Sequence, residues 1–142
     1  MKTFTLTLAA AATVVSGVAS GAFADGHMAA AMVEAQDQTL AGNGTVVADK
    51  VVTPVDGWLV IHRVDDGKPG EVIGHSRLDA GDNMIVSTQL VGETTPGEEL
   101  MLMIHTEEGG AEENVFEYTL GSSKDAPLLV DAMPVSTTVM VK

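Results

Sequence analysis

Trp58-Leu59-Val60-Ile61-His62-Arg63-Val64, Asp65-Asp66-Gly67-Lys68-Pro69-Gly70 and Glu71-Val72-Ile73-Gly74-His75-Ser76-Arg77 follow one another without a break, and their order decides the fold. The outer two segments are rich in β-branched and large apolar side chains, which suit a pleated, half-buried backbone. The middle segment carries a Gly for positive φ and a Pro that pre-sets the chain, so it joins two antiparallel strands. The same punctuation recurs along the sequence. Asp79-Ala80-Gly81-Asp82 turns the chain before another apolar run, and Thr94–Glu99 and Glu107–Asn114 are longer, acidic connections.

This spacing predicts strands at 32–38, 45–52, 58–64, 71–77, 83–91, 100–105, 115–120 and 135–141, with a short one at 128–130. No long apolar stripe of period 3.6 follows the first two dozen residues, so helices are minor. The expected class is all-β, an immunoglobulin-like or cupredoxin-like antiparallel β-sandwich of about 7–9 strands. Trp58 and Val60, on one side of their strand, are expected to anchor the inter-sheet core.

The composition limits what such a domain can do. Among 142 residues there are 20 Asp+Glu against 7 Lys+Arg, no Cys, and a formal charge of -13. That charge repels phosphate backbones and anionic lipid headgroups, which argues against nucleic acid and against polybasic membrane docking. With 45% hydrophobic residues the chain can build a core rather than remain disordered.

Residues 1–24 read as a secretory signal: Lys2, an apolar run from Phe4 to Val18, then small residues ending Ala22-Phe23-Ala24. Ser16, Gly17 and Ser20 interrupt it and no stop-transfer charges follow, so it reads as a leader cut after Ala24 rather than as a membrane span. The expectation is a periplasmic or extracellular protein without integral membrane association. Residues 25–31 are expected to form a flexible arm, and 32–142 a single β-sandwich domain.

Four segments carry a family resemblance. They are Val33-Glu34-Ala35-Gln36-Asp37-Gln38, Gly57-Trp58-Leu59-Val60-Ile61-His62, Pro69-Gly70-Glu71-Val72-Ile73-Gly74-His75, and Leu102-Met103-Ile104-His105 followed by Phe116-Glu117-Tyr118. Together they resemble a β-sandwich domain of unknown function found in exported and cell-surface proteins of haloarchaea and bacteria. The resemblance implies a sandwich fold and an exported location, and it brings no reaction with it.

Three groups of residues could carry chemistry. Cleavage after Ala24 makes Asp25-Gly26-His27 the mature start, so a free amine, two backbone amides and an imidazole supply four nitrogens, an arrangement suited to square-planar Cu(II) or Ni(II). Met28 and Met32 stand nearby as soft ligands for Cu(I). The second group is His62, His75 and His105, each near the end of a predicted strand and expected at a rim of the sandwich. Alternation places Met101, Met103 and His105 on one strand face, which adds thioethers to a set suited to copper or zinc. The bland alternative is that these imidazoles simply bond to neighbouring backbone.

The third group is the acidic loops, with Glu107, Glu108, Glu112 and Glu113 in one and Asp65 and Asp66 in another, where calcium would find oxygen ligands. Their order is not that of an EF-hand, so a solvated charge cluster is the simpler reading. Met84, Met101, Met103 and Met140 alternate with aliphatic residues and read as core fillers.

No nucleophile elbow, phosphate-cradling loop or His-Glu-x-x-His is present. Ser76 and His75, adjacent on a strand, point to opposite faces and cannot act as nucleophile and base. The sequence therefore reads as a binding or interaction module, with copper as its candidate metal. The alternative is a surface module that recognises protein or glycan without metal.

Overall fold

The computed structural model of the protein describes residues 30–40 and 44–142. The predicted leader and residues 25–29 of the arm lie outside the described residues. Nine strands are described: β1 Met32–Glu34, β2 Thr45–Thr53, β3 Gly57–Asp65, β4 Lys68–Leu78, β5 Gly81–Gln89, β6 Glu99–Thr106, β7 Leu129–Val130, β8 Met133–Pro134 and β9 Ser136–Met140. No helix occurs among the described residues. One sheet has the order β1-β2-β5 and the other β4-β3-β6-β9, all neighbours antiparallel, with β7 and β8 as a separate hairpin. The all-β sandwich expected from the sequence is therefore what the chain forms.

The hairpin that decides the fold is tighter than its sequence suggests. Asp65 pairs with Lys68, leaving only Asp66 and Gly67 in the loop, at φ +48° and +75°. Two successive positive φ values make the type I′ geometry, whose twist matches the strands and which Asp-Gly favours. Pro69 lies inside β4 and is tolerated because β4 is an edge strand.

Between the sheets lies a core of Val46, Ala48 and Val51 from β2, Leu59 and Ile61 from β3, Ile73 and Leu78 from β4, Leu100, Leu102 and Ile104 from β6, and Val139 from β9. Alternation along β3 and β6 sends these side chains inward and the intervening ones outward. Trp58 and Val60 are consequently on the outer face of β3, and the expectation that they anchor the inter-sheet core is corrected. Met84 and Met140 are 63% and 44% exposed, so they are surface residues rather than core fillers.

The inward alternation of β2 runs Val46, Ala48 and resumes out of phase at Val51. On the partner strand, between the pairs Ala48↔Val86 and Lys50↔Met84, Ile85 takes φ +53°. A β-branched side chain is strained there, at a cost of about 1–3 kcal/mol. Because Ile85 is 65% exposed, replacing it forfeits little burial. Ile85→Gly is expected to stabilise the protein by about 1 kcal/mol, read as a higher urea midpoint at unchanged m; a lower midpoint would show that the position is unstrained.

The predicted strand at 115–120 does not form. Residues 107–128 instead make an irregular strap whose returning limb runs beside the end of β6: Thr106 N donates to Ala126 O at 2.9 Å and Leu128 N to Ile104 O at 2.8 Å. This limb takes up the edge of β6 beyond the reach of β9 and folds the strap over the outer face of the four-stranded sheet.

Candidate metal centre: a buried histidine pair

The register of β3 defines three rows of outward-facing side chains beneath the strap. Trp58 stands opposite His105, Val60 opposite Met103 and His62 opposite Met101, while Val60 also faces His75 on β4. Leu59, Ile61, Leu102 and Ile104, which lie between these rows along the strands, belong to the inter-sheet core. The outer face thus carries a second cluster. Trp58, Val60, His62, Met103 and His105 are all buried, and Phe116 and Tyr118 of the strap form its cover.

Within this cluster His62 and His105 reach toward each other, and both are fully buried. Their Nε2 atoms are 3.3 Å apart. The His62 Nδ1–H donates to Gly70 O at 2.9 Å, and the His105 Nδ1–H to Asp125 O at 2.6 Å. A carbonyl can only accept, so each Nδ1 must carry the proton, and both neutral rings present a bare Nε2. Two lone pairs therefore face one another in a desolvated site, which is unfavourable unless a proton or a metal cation lies between them.

Both anchoring carbonyls are products of local distortion. Between His62↔Val72 and Val64↔Pro69 the β3–β4 ladder gains a residue on β4, and Gly70 sits within that irregularity. A bulge re-aims the backbone, here releasing the Gly70 carbonyl toward the His62 ring. A Cβ at Gly70 would meet Arg63 O at 3.1 Å, so the approach is close. A second extra residue, Ile73 between Gly74 and Val72, turns Ile73 into the core while leaving His75 on the outer face.

Asp125 closes the other side. It has φ +43°, is 1% exposed, donates from its backbone N to Glu108 O at 2.7 Å and accepts the Glu117 N–H at Oδ2 at 2.7 Å. These bonds fix the strap so that the Asp125 carbonyl points at His105.

Burial holds the imidazole of His105 well below its ordinary value, at about 4, the Asp125 carbonyl opposing the shift and neighbouring His62 adding to it. His62 is lowered by burial as well, with the Gly70 bond opposing. At neutral pH both rings are therefore neutral, which is the ligating form of histidine. A metal bound at 2.0–2.1 Å to two nitrogens at a tetrahedral angle separates them by about 3.3 Å, and the observed distance matches.

His75, the third imidazole of the predicted set, is exposed, with its ring stacked on Phe116 at 4.5 Å and edge-on to Trp58 at 5.5 Å. Among the described residues no group of three or more His, Cys, Asp or Glu side chains is placed to hold a metal ion. His62 and His105 could thus hold a cation from two sides, and His75 is not placed to join them. Asp25, Gly26 and His27 lie outside the described residues.

Among the described residues the acidic loops, Glu107, Glu108, Glu112 and Glu113 in one and Asp65 and Asp66 in the other, bring no three carboxylates together for calcium either. Glu107 pairs with Arg77 and accepts the Asn114 N–H, while Glu117 accepts from Ala111 N, Glu112 N and Lys124. Those carboxylates are spent on ordering the strap. Ser76 bonds to Ser87 O and Thr88 on the face away from His75, as alternation requires. Trp58 Nε1 is buried without an acceptor. His62 and His105 are both 0% exposed, so a cation between them would be enclosed.

The sequence pattern puts His62 and His105 near strand ends at a rim. The structure instead sets them under the strap on one sheet face. The role of Gly70 and Asp125 was not anticipated, because it depends on backbone carbonyls freed by a bulge and by a positive φ; the Pro69-Gly70 pair was the one visible signal.

The sequence model of the family described as "Domain of unknown function (DUF7282)" matches residues 31–142, and the chain belongs to that family. No curated protein and no solved structure matches the chain.

Proposed function

We propose that this member of the DUF7282 family is an exported, non-catalytic binding module that holds one transition-metal cation, copper foremost, between His62 and His105. The observation that carries the reading is the facing pair of Nε2 atoms at 3.3 Å with both Nδ1–H groups committed to carbonyls. Hydrogen bonds from the distal ring nitrogen are how metal-bound histidines are oriented and made more basic. Charge favours the same species, since a strongly acidic surface concentrates cations around it. Export is read from the leader at residues 1–24, and the Asp25-Gly26-His27 terminus that cleavage would create supplies the four nitrogens of a second copper site.

The test expresses the full sequence, determines the mature N-terminus by intact mass, and titrates the purified protein with Ag(I), a redox-inert stand-in for Cu(I). A His27→Ala background removes the arm. The expected result is one equivalent bound in that background, with a rise in Tm set by mass action, and loss of both in His62→Leu and in His105→Leu. Absence of binding in the background protein, or binding that survives both variants, would overturn the reading.

A second reading, an envelope or surface module that recognises protein or glycan, is favoured by the β7–β8 hairpin. Its Leu129, Val130 and Met133 are 57%, 46% and 69% exposed. A protein that binds no cation yet loses partner binding on Met133→Lys would support that reading instead.

A further inference from the structure

We infer that Met103 is the third ligand of the pair and that the site selects a monovalent soft cation, Cu(I), over divalent ions; the inference rests on the cation reading of His62 and His105. The rows of β3 and β6 carry it. His62 lies in the row of Met101 and His105 in the row of Trp58, with the Val60–Met103 row between them on the same face. The two imidazoles reach along the strands from either side, so their Nε2 atoms meet over that middle row. Val60 has no donor atom, which leaves the Met103 thioether.

Burial is consistent with this placement. Met103 is 1% exposed, yet it does not belong to the inter-sheet core that takes Leu102 and Ile104 on either side of it. Its side chain is unbranched and its sulfur polarizable, so it can adapt to a ligand position. Met101 is half-buried and one row further from His105. It is the rival donor.

The choice of ion follows from charge. Two imidazoles and a thioether are neutral, and soft ligands of this kind favour Cu(I). Desolvation cost grows with the square of the charge, so an enclosed site of neutral ligands penalises a divalent ion about four times as heavily as a monovalent one. Asp125 is the one buried carboxylate among the described residues, and its own carbonyl holds His105.

The experiment compares His27→Ala protein with the same protein carrying Met103→Leu or Met101→Leu, shape-conserving changes that a core tolerates. Ag(I) and Zn(II) affinities are measured, and X-ray absorption is recorded on the Cu(I) forms. Met103→Leu is expected to weaken Ag(I) at least as much as the 10–100-fold typical of losing an outer-shell partner, and to remove the sulfur scatterer. Met101→Leu should keep both affinity and sulfur, and Zn(II) should fail to displace Ag(I). Sulfur and affinity retained in Met103→Leu, or Zn(II) bound more tightly, would overturn this inference while leaving the histidine pair standing. No Ag(I) binding by the parent would remove the pair reading and this one with it.

Discussion

In the presence of a chelator, the protein is expected to lose about 3 kcal/mol of stability on acidification from pH 7 to pH 4, more than half of it above pH 5, before most of its carboxylates titrate. The folded His105 titrates at about 4 against an ordinary 6.5, because burial penalises the imidazolium. The unfolded chain therefore takes up its proton first. Stability is intact above pH 6.5, declines as pH falls, and this contribution is gone once the folded group itself titrates. His62 acts in the same direction.

Against a total stability of roughly 5–15 kcal/mol such a loss is large. The measurement is the urea midpoint at half-unit steps of pH. Relief of self-repulsion in a chain of charge -13 works in the opposite sense, since acid reduces that charge. Glu117, held low chiefly by its bond to Lys124, would contribute only below the ordinary carboxylate range. A midpoint unchanged between pH 7 and 5, or a His105→Leu variant with the same slope as its parent, would sink the assignment.

How much of this was legible in the sequence can be argued element by element. Asp66-Gly67 between two apolar runs specifies the β3–β4 hairpin through its turn chemistry, although β4 starts at Lys68 rather than at Glu71, so that Lys68-Pro69-Gly70 belong to the strand and not to the turn. Residues 115–120 also look like a strand, with Phe116, Tyr118 and Leu120 alternating with other residues. Their order instead comes from side-chain bonds within the strap such as Glu117 N to Asp125 Oδ2 and from packing on the distant Trp58 and on His105, which no local pattern encodes.

The bulges of β4 are hidden for a related reason. Nothing in Glu71-Val72-Ile73-Gly74 says that Ile73 turns inward while His75, two residues on, stays outside. Such shifts are settled by what each face must bury. The histidine pair was half legible: residue type and strand position were readable, but not that His62 and His105, 43 positions apart, share one face while His75 is left exposed.

Among the described glycines, Gly57→Ala is expected to be the most damaging added methyl, costing about 3 kcal/mol or more by forced overpacking. Gly57 opens β3 opposite Thr106, and a Cβ there would lie 2.1 Å from the His105 carbonyl oxygen and 3.3 Å from the Thr106 Cα. Both obstacles are backbone, so no rotamer change relieves them; β3 and β6 would have to separate. That separation acts where the candidate centre is most demanding, because His105 is held through its own backbone and through Asp125 on the adjoining limb.

Gly67→Ala provides the contrast. It adds the same methyl at φ +75° with nothing within 4 Å, so it incurs only left-handed strain of about 1–2 kcal/mol. Urea denaturation of the two variants should rank them in that order, and Ag(I) affinity should fall in Gly57→Ala while remaining unchanged in Gly67→Ala. Equal destabilisation would mean that β3 and β6 part at no greater cost than the left-handed strain at Gly67. A Gly57→Ala protein that folds with full Ag(I) affinity would show that the strands can part without moving His105 from His62, and the centre would then owe its geometry to the strap alone.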